Sequence, residues 1–388
     1  MGAADRSTSL ARARLLSDDI AAAADEIERT RRIPPALLDA LHEARLCRML
    51  LPRSVGGDEV GLDEYFFTIE EVARHDASVA WNLFVANSTV LLAAHLATDT
   101  AQAIFADPHA LVAWGPPNEH IATAEDGGYR VSGRWSFASG CHSATWMGAH
   151  CRVRERDGSI RSHPDGRPFI LTLLFPVGQA TLTDTWNPIG LRGTASDSYC
   201  VEDLFVPEAF TGTRELPDNR REPASLYAFP QQSIYAIGVA GVAVGIARAM
   251  LDAFVELAIE KTPRGLSKMA DSAGVQAGVA KAEARTGAAR SYLLHTIDEI
   301  IERAPPDVAI NIPDRARVRL AVTNAIHGAI ETADWLYKNA GVDAIFPGSP
   351  FERRFRDIHT LSQQIQGRDA HYEAVGSVLL GHKPAVFY

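Results

Sequence analysis

The feature that most constrains this fold is a change of texture that happens twice along the chain. From Leu10 to about Asp107 the sequence reads as helix, from about Leu111 to Pro207 as short strands cut by turns, and from about Ser233 to Leu380 as helix again. Elements that segregate in this way give an α+β fold in three parts. The expected parts are an N-terminal helical domain over 1–110, a middle, mostly antiparallel β domain over 111–225 and a C-terminal four-helix bundle over 226–388. A chain of 388 residues is long enough to need two or three such units.

Local signals support each part. Pro34-Pro35 opens the helix PPALLDALHEARL, with proline where a first-turn N–H is unsatisfied anyway. LPRSVGGDEVGL is a loop, and the apolar run EYFFTIEEVARHDASVAWNLFVANSTVLLAAHL breaks near His75-Asp76, where Asp suits an N-cap. In the middle, Gly127-Gly128, Asp157-Gly158, Pro164-Asp165-Gly166 and Gly193 punctuate the strand-like runs. Later, Gly238, Gly241 and Gly245 lie along one Ala-rich helix, and helices are expected over Ala273 to Ile301, Asp314 to Asn339 and Phe355 to Leu380. Pro305-Pro306 and the Pro347 to Pro350 stretch interrupt them.

Composition narrows the function. A formal net charge of −10 repels phosphates, so no nucleic-acid partner is expected. No run of about 20 uncharged apolar residues is evident, so no membrane span is expected. Cys47, Cys141, Cys151 and Cys200 have no paired spacing, which suits a reducing cytoplasm and gives no zinc site.

Three stretches could carry chemistry. GGYRVSGRWSFASG, Gly127 to Gly140, reads first as a hairpin turning at Ser132-Gly133. It also offers Trp135 as a flat face, with Ser136, Ser139 and the backbone around Ala138 as hydrogen-bonding groups for a heteroaromatic edge. NPIGLRGTASDSYCVEDLFVPE, Asn187 to Glu208, reads as a loop, a strand and a Pro-marked exit, and its Gly193-Thr194-Ala195-Ser196 run could present backbone N–H groups. SPFERRFRDIHTLSQQIQG, Ser349 to Gly367, reads as a solvated basic helix face or as a helix with an internal Arg356-Asp357 pair.

In this order and at these separations, the three stretches, with LPRSVGG and EEVARHDASVAWN upstream, resemble the acyl-CoA dehydrogenase superfamily over nearly the whole chain. The resemblance implies a flavin bound between β domain and bundle, and a homotetramer in which a neighbouring subunit helps to complete the site. Many dehydrogenases of that family place a catalytic Glu eight residues after the Asp of the terminal Arg-Asp pair, to remove a proton α to a thioester. Here that position is Ile365, with Glu373 a further eight residues on. Asp252 or Glu256 on the bundle's first helix would be alternative bases.

WSFASG, SVAWN and SPFERRFRDIHT look more like the two-component flavin-dependent monooxygenases. That resemblance implies reduced FMN or FAD delivered by a separate flavin reductase, dioxygen as co-substrate, and a small, aromatic substrate. It implies Trp135, Phe137, Ala138 and Ser139 along the flavin, Arg264 at its phosphates from a neighbouring subunit, and Gly341 near its far end. Ser139 matches the family's serine beside the reacting edge. The family's histidine position is occupied by Gln364, which donates hydrogen bonds but carries no proton at neutral pH. Candidates to replace it are His371, seven residues later on the same face of an unbroken helix, His359, about 140° away, His95 and His142. The expected function is a flavin-dependent monooxygenase, with a dehydrogenase or oxidase, or a non-catalytic flavin-binding homologue, as the other readings.

Overall fold

The computed structural model describes residues 8–164, 166–213, 219–305 and 308–382. Asp165 of the expected turn and Pro306 of the expected break lie outside the described residues.

The N-terminal helices are α1 (Ser9–Leu15), α2 (Ser17–Thr30), α3 (Pro35–Glu43), α4 (Leu62–His75), α5 (Ala77–Val90) and α6 (Thr98–Phe105). α4 and α5 part where the sequence indicates. Asp76 is extended, and its carboxylate accepts from Val79 N at 2.9 Å, capping α5. Eight strands follow: β1 (Val112–Trp114), β2 (Ile121–Glu125), β3 (Gly128–Ala138), β4 (Trp146–Arg154), β5 (Ile170–Pro176), β6 (Thr181–Thr183), β7 (Asp197–Pro207) and β8 (Thr211–Gly212). They form one sheet in the order β6-β7-β3-β2-β4-β5-β8, with β1 beside β4. Pairing is antiparallel except where β4 meets β1 and β2.

One expectation about β3 is corrected. The hairpin turns at Asp126-Gly127, joining β2 to β3, with Gly127 in the left-handed region at φ 77°. Ser132-Gly133 instead lies inside β3, where the register with β7 shifts. A second shift, between Trp135 and Ala138, places Phe137 at φ 62°. Such bulges re-aim side chains.

The C-terminal part contains α7 (Gln231–Glu260), α8 (Ala273–Arg303) and α9 (Ile312–Ala340), then α10 (Glu352–Ser362) and α11 (Ala370–Leu379). The single helix expected from Phe355 to Leu380 is two. Gln364 is extended at ψ 145° and begins a 3-10 turn, Ile365–Gly367. The turn separates the two helices, so a seven-residue spacing across it no longer puts two residues on one face.

The helices at the two ends of the chain share one apolar core, whereas the sheet has its own around Trp135, Met147, Leu173 and Tyr199. Gly238, Gly241 and Gly245 belong to the shared core. A Cβ on each would meet Tyr65 and Phe84, Ile69, or Glu70 and Ala73. The small-residue stripe therefore seats α7 on α4 and α5 of its own chain and contributes no surface to another subunit. Burial also explains the apolarity of these helices. Ala77–His95 and Gln231–Glu260 are long and apolar enough to cross a membrane, contrary to the sequence reading, yet 94% and 83% of their most apolar windows are buried in the core. All four cysteines are free thiols.

Candidate active site

A cavity of about 1050 Å³ opens where α5, the bulged end of β3, the loop before β7, the start of α7 and the α10–α11 break converge. One end is built from hydroxyls. Trp81 Nε1 donates to Ser139 Oγ at 3.1 Å, Ser139 Oγ shares a hydrogen bond with Ser196 Oγ at 2.7 Å, and Ser196 Oγ shares one with Thr194 Oγ1 at 2.7 Å. Thr194 Oγ1 then donates to the Leu191 carbonyl at 2.9 Å, which also accepts Trp186 Nε1 at 3.0 Å. Trp81, Phe137, Trp186 and these three hydroxyls all line the cavity.

The loop before β7 is held from three sides. Asn82 Nδ2 donates to the Gly193 carbonyl at 3.1 Å, and Gly193 N donates to Ser78 Oγ at 3.2 Å, both from α5. Gly140 N reaches the Thr194 carbonyl at 2.9 Å. From α10, Asp357 Oδ1 accepts Leu191 N at 2.6 Å. Gly190 is required here, because a Cβ would collide with the backbone of Arg356 and Asp357. Leu191 and Ala195, like Phe137, are non-glycine residues at positive φ, 50° and 45°. Backbone in this region is strained and persists where its surroundings over-determine it, commonly around ligand sites.

Burial sets the electrostatics of the α10 anchor. It pushes the Asp357 carboxyl up to about 7 against the opposing Leu191 hydrogen bond, with Asp76 and Glu28 raising it further. Burial likewise raises Asp76 and lowers Arg354. The expected Arg356-Asp357 pair does not form. Arg356 instead joins Glu28 at 2.7 Å, Glu352 at 2.5 Å and the Ile189 carbonyl, clamping α2 and the loop to α10.

The sequence candidates divide. Ser139, Phe137 and Gln364 reach the cavity. Gln364 Oε1 accepts Gln366 N at 2.6 Å, and Tyr235 lines the same cavity. Trp135 and Ala138 do not. They are 1% and 0% exposed in the sheet core, with Trp135 stacked on Tyr199 at 5.4 Å and donating to the His150 carbonyl. His371 is off the cavity wall, bonded at 2.7 Å to the Ile365 carbonyl, because the helix break turned it away. His359 and His95 line the cavity, and His359 is engaged with Asp334 at 2.8 Å. His142 lies outside it, paired with Asp197 at 2.6 Å. Arg264 is exposed in the turn beyond α7, and Gly341 caps the end of α9, where Lys261 Nζ donates to the Ala340 carbonyl at 2.8 Å. About 38 Å of α7 separates that end from Tyr235 at the cavity, so neither residue reaches the cavity of its own chain.

Sequence reasoning missed Trp81, Trp186 and Asp357 as site builders. Trp81 sits in the SVAWN phrase on a helix apolar all round, which hides a functional face. Trp186 arrives through a loop whose path no periodicity encodes.

An aromatic slot ending in buried hydroxyls fits a flavin ring, which has a flat face and a hydrogen-bonding edge. Among the described residues lining the cavity there is no Asp or Glu. The alternative dehydrogenase bases also lie elsewhere: Asp252 pairs with Arg74 and Arg248, and Glu256 is exposed.

Known proteins share this fold. The family models of the acyl-CoA dehydrogenase N-terminal and C-terminal domains match residues 8–109 and 237–367. An indole-3-acetate monooxygenase of Pseudomonas putida is 29% identical over 94% of this chain and 91% of its own. The oxygenase component of an FADH(2)-dependent resorcinol hydroxylase from a Rhizobium species is 27% identical over 95% of this chain and 93% of its own. The solved structure of XiaF from a Streptomyces species, in complex with FADH2 and glycerol, superposes with a TM-score of 0.89 at 24% identity, covering 98% of this chain and 97% of that one, a likeness of fold. The chain belongs to the acyl-CoA dehydrogenase superfamily and is similar, over nearly its whole length, to that superfamily's flavin-dependent monooxygenase components.

Proposed function

We propose that this chain is the oxygenase component of a two-component flavin-dependent monooxygenase that hydroxylates a small aromatic molecule. The observation that carries the reading is a flavin-sized aromatic cavity with a buried hydroxyl network and, among the described residues, no carboxylate base on its wall. Abstraction of a proton α to a thioester needs such a base, and hydroxylation of an aromatic ring does not. Reduced FMN or FAD, delivered by a separate reductase, supplies the two electrons that let one atom of dioxygen enter the substrate and the other leave as water.

The chain's own groups then have these roles. Trp81 and Ser196 fix the Ser139 hydroxyl on the cavity wall, where it would hold the flavin by a hydrogen bond. Trp186 and Phe137, on the cavity wall, would hold the flavin ring. Gln364 orients by hydrogen bonding and moves no proton itself. Arg264 and Gly341 serve the flavin of a neighbouring subunit in a homotetramer. Exposed apolar residues near that end, Val342, Ile345, Phe346 and Leu266, are 56–70% exposed and would be covered by assembly. The enzyme works in the cytoplasm.

Titration with oxidised and reduced forms of FMN and FAD tests the reading. The reduced form binds more tightly. Equal or tighter binding of oxidised FAD would return the chain to the dehydrogenases.

A further inference from the structure

The cavity runs along α5. Ser139 sits at the Trp81 end. The other end reaches His95, where Arg221 N donates to the Ala94 carbonyl at 2.8 Å and so brings Arg220 alongside. Trp81 and His95 are about 20 Å apart at the rise of a helix. Arg315 lines the cavity too, linked through neighbouring residues to Ser88, seven residues beyond Trp81 on α5. Its Nε donates to the Ile310 carbonyl at 2.8 Å, Ile310 N bonds the Ala228 carbonyl at 3.1 Å, and Gln231 beyond it bonds the Ser88 carbonyl at 3.1 Å.

Among the described residues on the cavity wall the formal charges are all positive, in a protein of formal net charge −10. Arg167, Arg220, Arg315 and Arg368 line the cavity, with no Asp or Glu among its described residues. Arg315 is the informative one. Its neighbour in sequence, Asp314, is taken by Arg303 at 2.5 Å and by Arg317 at 3.8 Å. Arg315 pairs with no carboxylate among the described residues, and burial together with the nearby Arg167 charge lowers its pKa. A guanidinium held partly desolvated beside a like charge gains most from an anion, and its planar fork matches a carboxylate in two parallel hydrogen bonds.

We propose that Arg315 recognises the carboxylate of the substrate, which makes the substrate class elongated aryl-alkanoic acids, with the ring at Ser139 and the acid at Arg315. This rests on the monooxygenase reading above and specifies what that site accepts.

The probes are indole-3-butyrate and its neutral amide, titrated calorimetrically into the protein holding reduced FMN under anaerobic conditions. The acid binds roughly 10- to 100-fold more tightly than the amide, the range expected of a charged hydrogen bond. Arg315→Gln abolishes that preference and Arg315→Lys keeps part of it, while reduced-FMN affinity stays within about twofold, below the effect of losing one such bond. Equal binding of acid and amide by the unaltered protein overturns the proposal. So does an Arg315→Gln variant that weakens flavin binding and leaves the acid-to-amide ratio intact, since that would assign Arg315 to a flavin phosphate. Product formation under oxygen is read separately. Arg315-dependent acid binding with no hydroxylated product supports this proposal and counts against the monooxygenase reading. Hydroxylation of neutral phenols without any preference for acids does the reverse.

Discussion

Replacing Asp357 by Asn should make the protein relatively more stable as pH rises. Asp357 is 4% exposed, and its Oδ1 accepts Leu191 N at 2.6 Å, an acceptor role that the Asn carbonyl keeps. The carboxyl is pushed from the ordinary 3.8 to about 7, chiefly by burial. An acid with a raised folded-state pKa favours folding below the unfolded value and loses that advantage as pH rises through the folded one. The window is therefore pH 3.8 to about 7. At about 1.4 kcal/mol per pKa unit, the full loss is about 4 kcal/mol, of which roughly a third is already lost at pH 5. Asp357→Asn removes this dependence. The surrounding charges, Asp76, Glu28, Arg353 and Arg354, are common to both proteins and largely cancel in the comparison. Urea unfolding of both flavin-free proteins at pH 5 and pH 8 provides the test. The variant-minus-parent stability should be about 2–3 kcal/mol more favourable at pH 8. A difference that is the same at both pH values, or that falls at pH 8, would mean that Asp357 is ionised and paired with the neighbouring arginines, and would refute the reasoning.

Four further outcomes follow from the same geometry. Ser139→Ala deprives Trp81 Nε1 of its buried acceptor and should cost about 1 kcal/mol of stability, while hydrogen peroxide release per flavin oxidised rises markedly; normal coupling would make Ser139 merely structural. Gly190→Ala forces the cavity loop away from α10, so soluble yield and flavin affinity should fall together, and unchanged affinity would show the loop is not part of the site. Arg356→Ala removes one ion-pair tie between α2 and α10, the Arg353–Asp25 pair remaining, and leaves Glu28 without that partner; thermal unfolding should record a loss of about 1 kcal/mol, the usual scale for a partly exposed pair. Gln364→His should fold normally and add a new dependence of coupling on pH near 6.5, the ordinary histidine value, read from peroxide leakage across pH 5.5 to 8.

Much of the fold was legible because its signals are local. The strand-and-turn punctuation from Val112 to Pro207, the Asp76 cap between α4 and α5, and the Pro35 start of α3 follow from backbone preferences of single residues. The break at Gln364 was not legible. No proline or glycine precedes it, and the apolar spacing continues smoothly through Leu361 and Ile365, so periodicity reads one helix. That miss also produced the mistaken pairing of Gln364 with His371. Trp135 misled for a different reason. Alternation along β3 assigns it a face, but sequence alone does not say which face meets the sheet's own core and which meets a ligand. The Gly238–Gly245 stripe announced close packing correctly and left its partner unspecified, because α4 is distant in sequence. The hydroxyl network was half visible. Ser139 stood out in WSFASG, whereas its partners Trp81 and Ser196 come together only through tertiary structure.

The monooxygenase reading is tested most directly by isotope tracing. The protein, reduced FMN or FAD from a reductase, an aromatic acid and dioxygen labelled with oxygen-18 are mixed, and the product is examined by mass spectrometry. One labelled oxygen atom per hydroxylated product is the predicted result. Stoichiometric hydrogen peroxide with no labelled product, together with bleaching of tightly bound FAD by an acyl-CoA thioester, would contradict it and place the chain among the dehydrogenases.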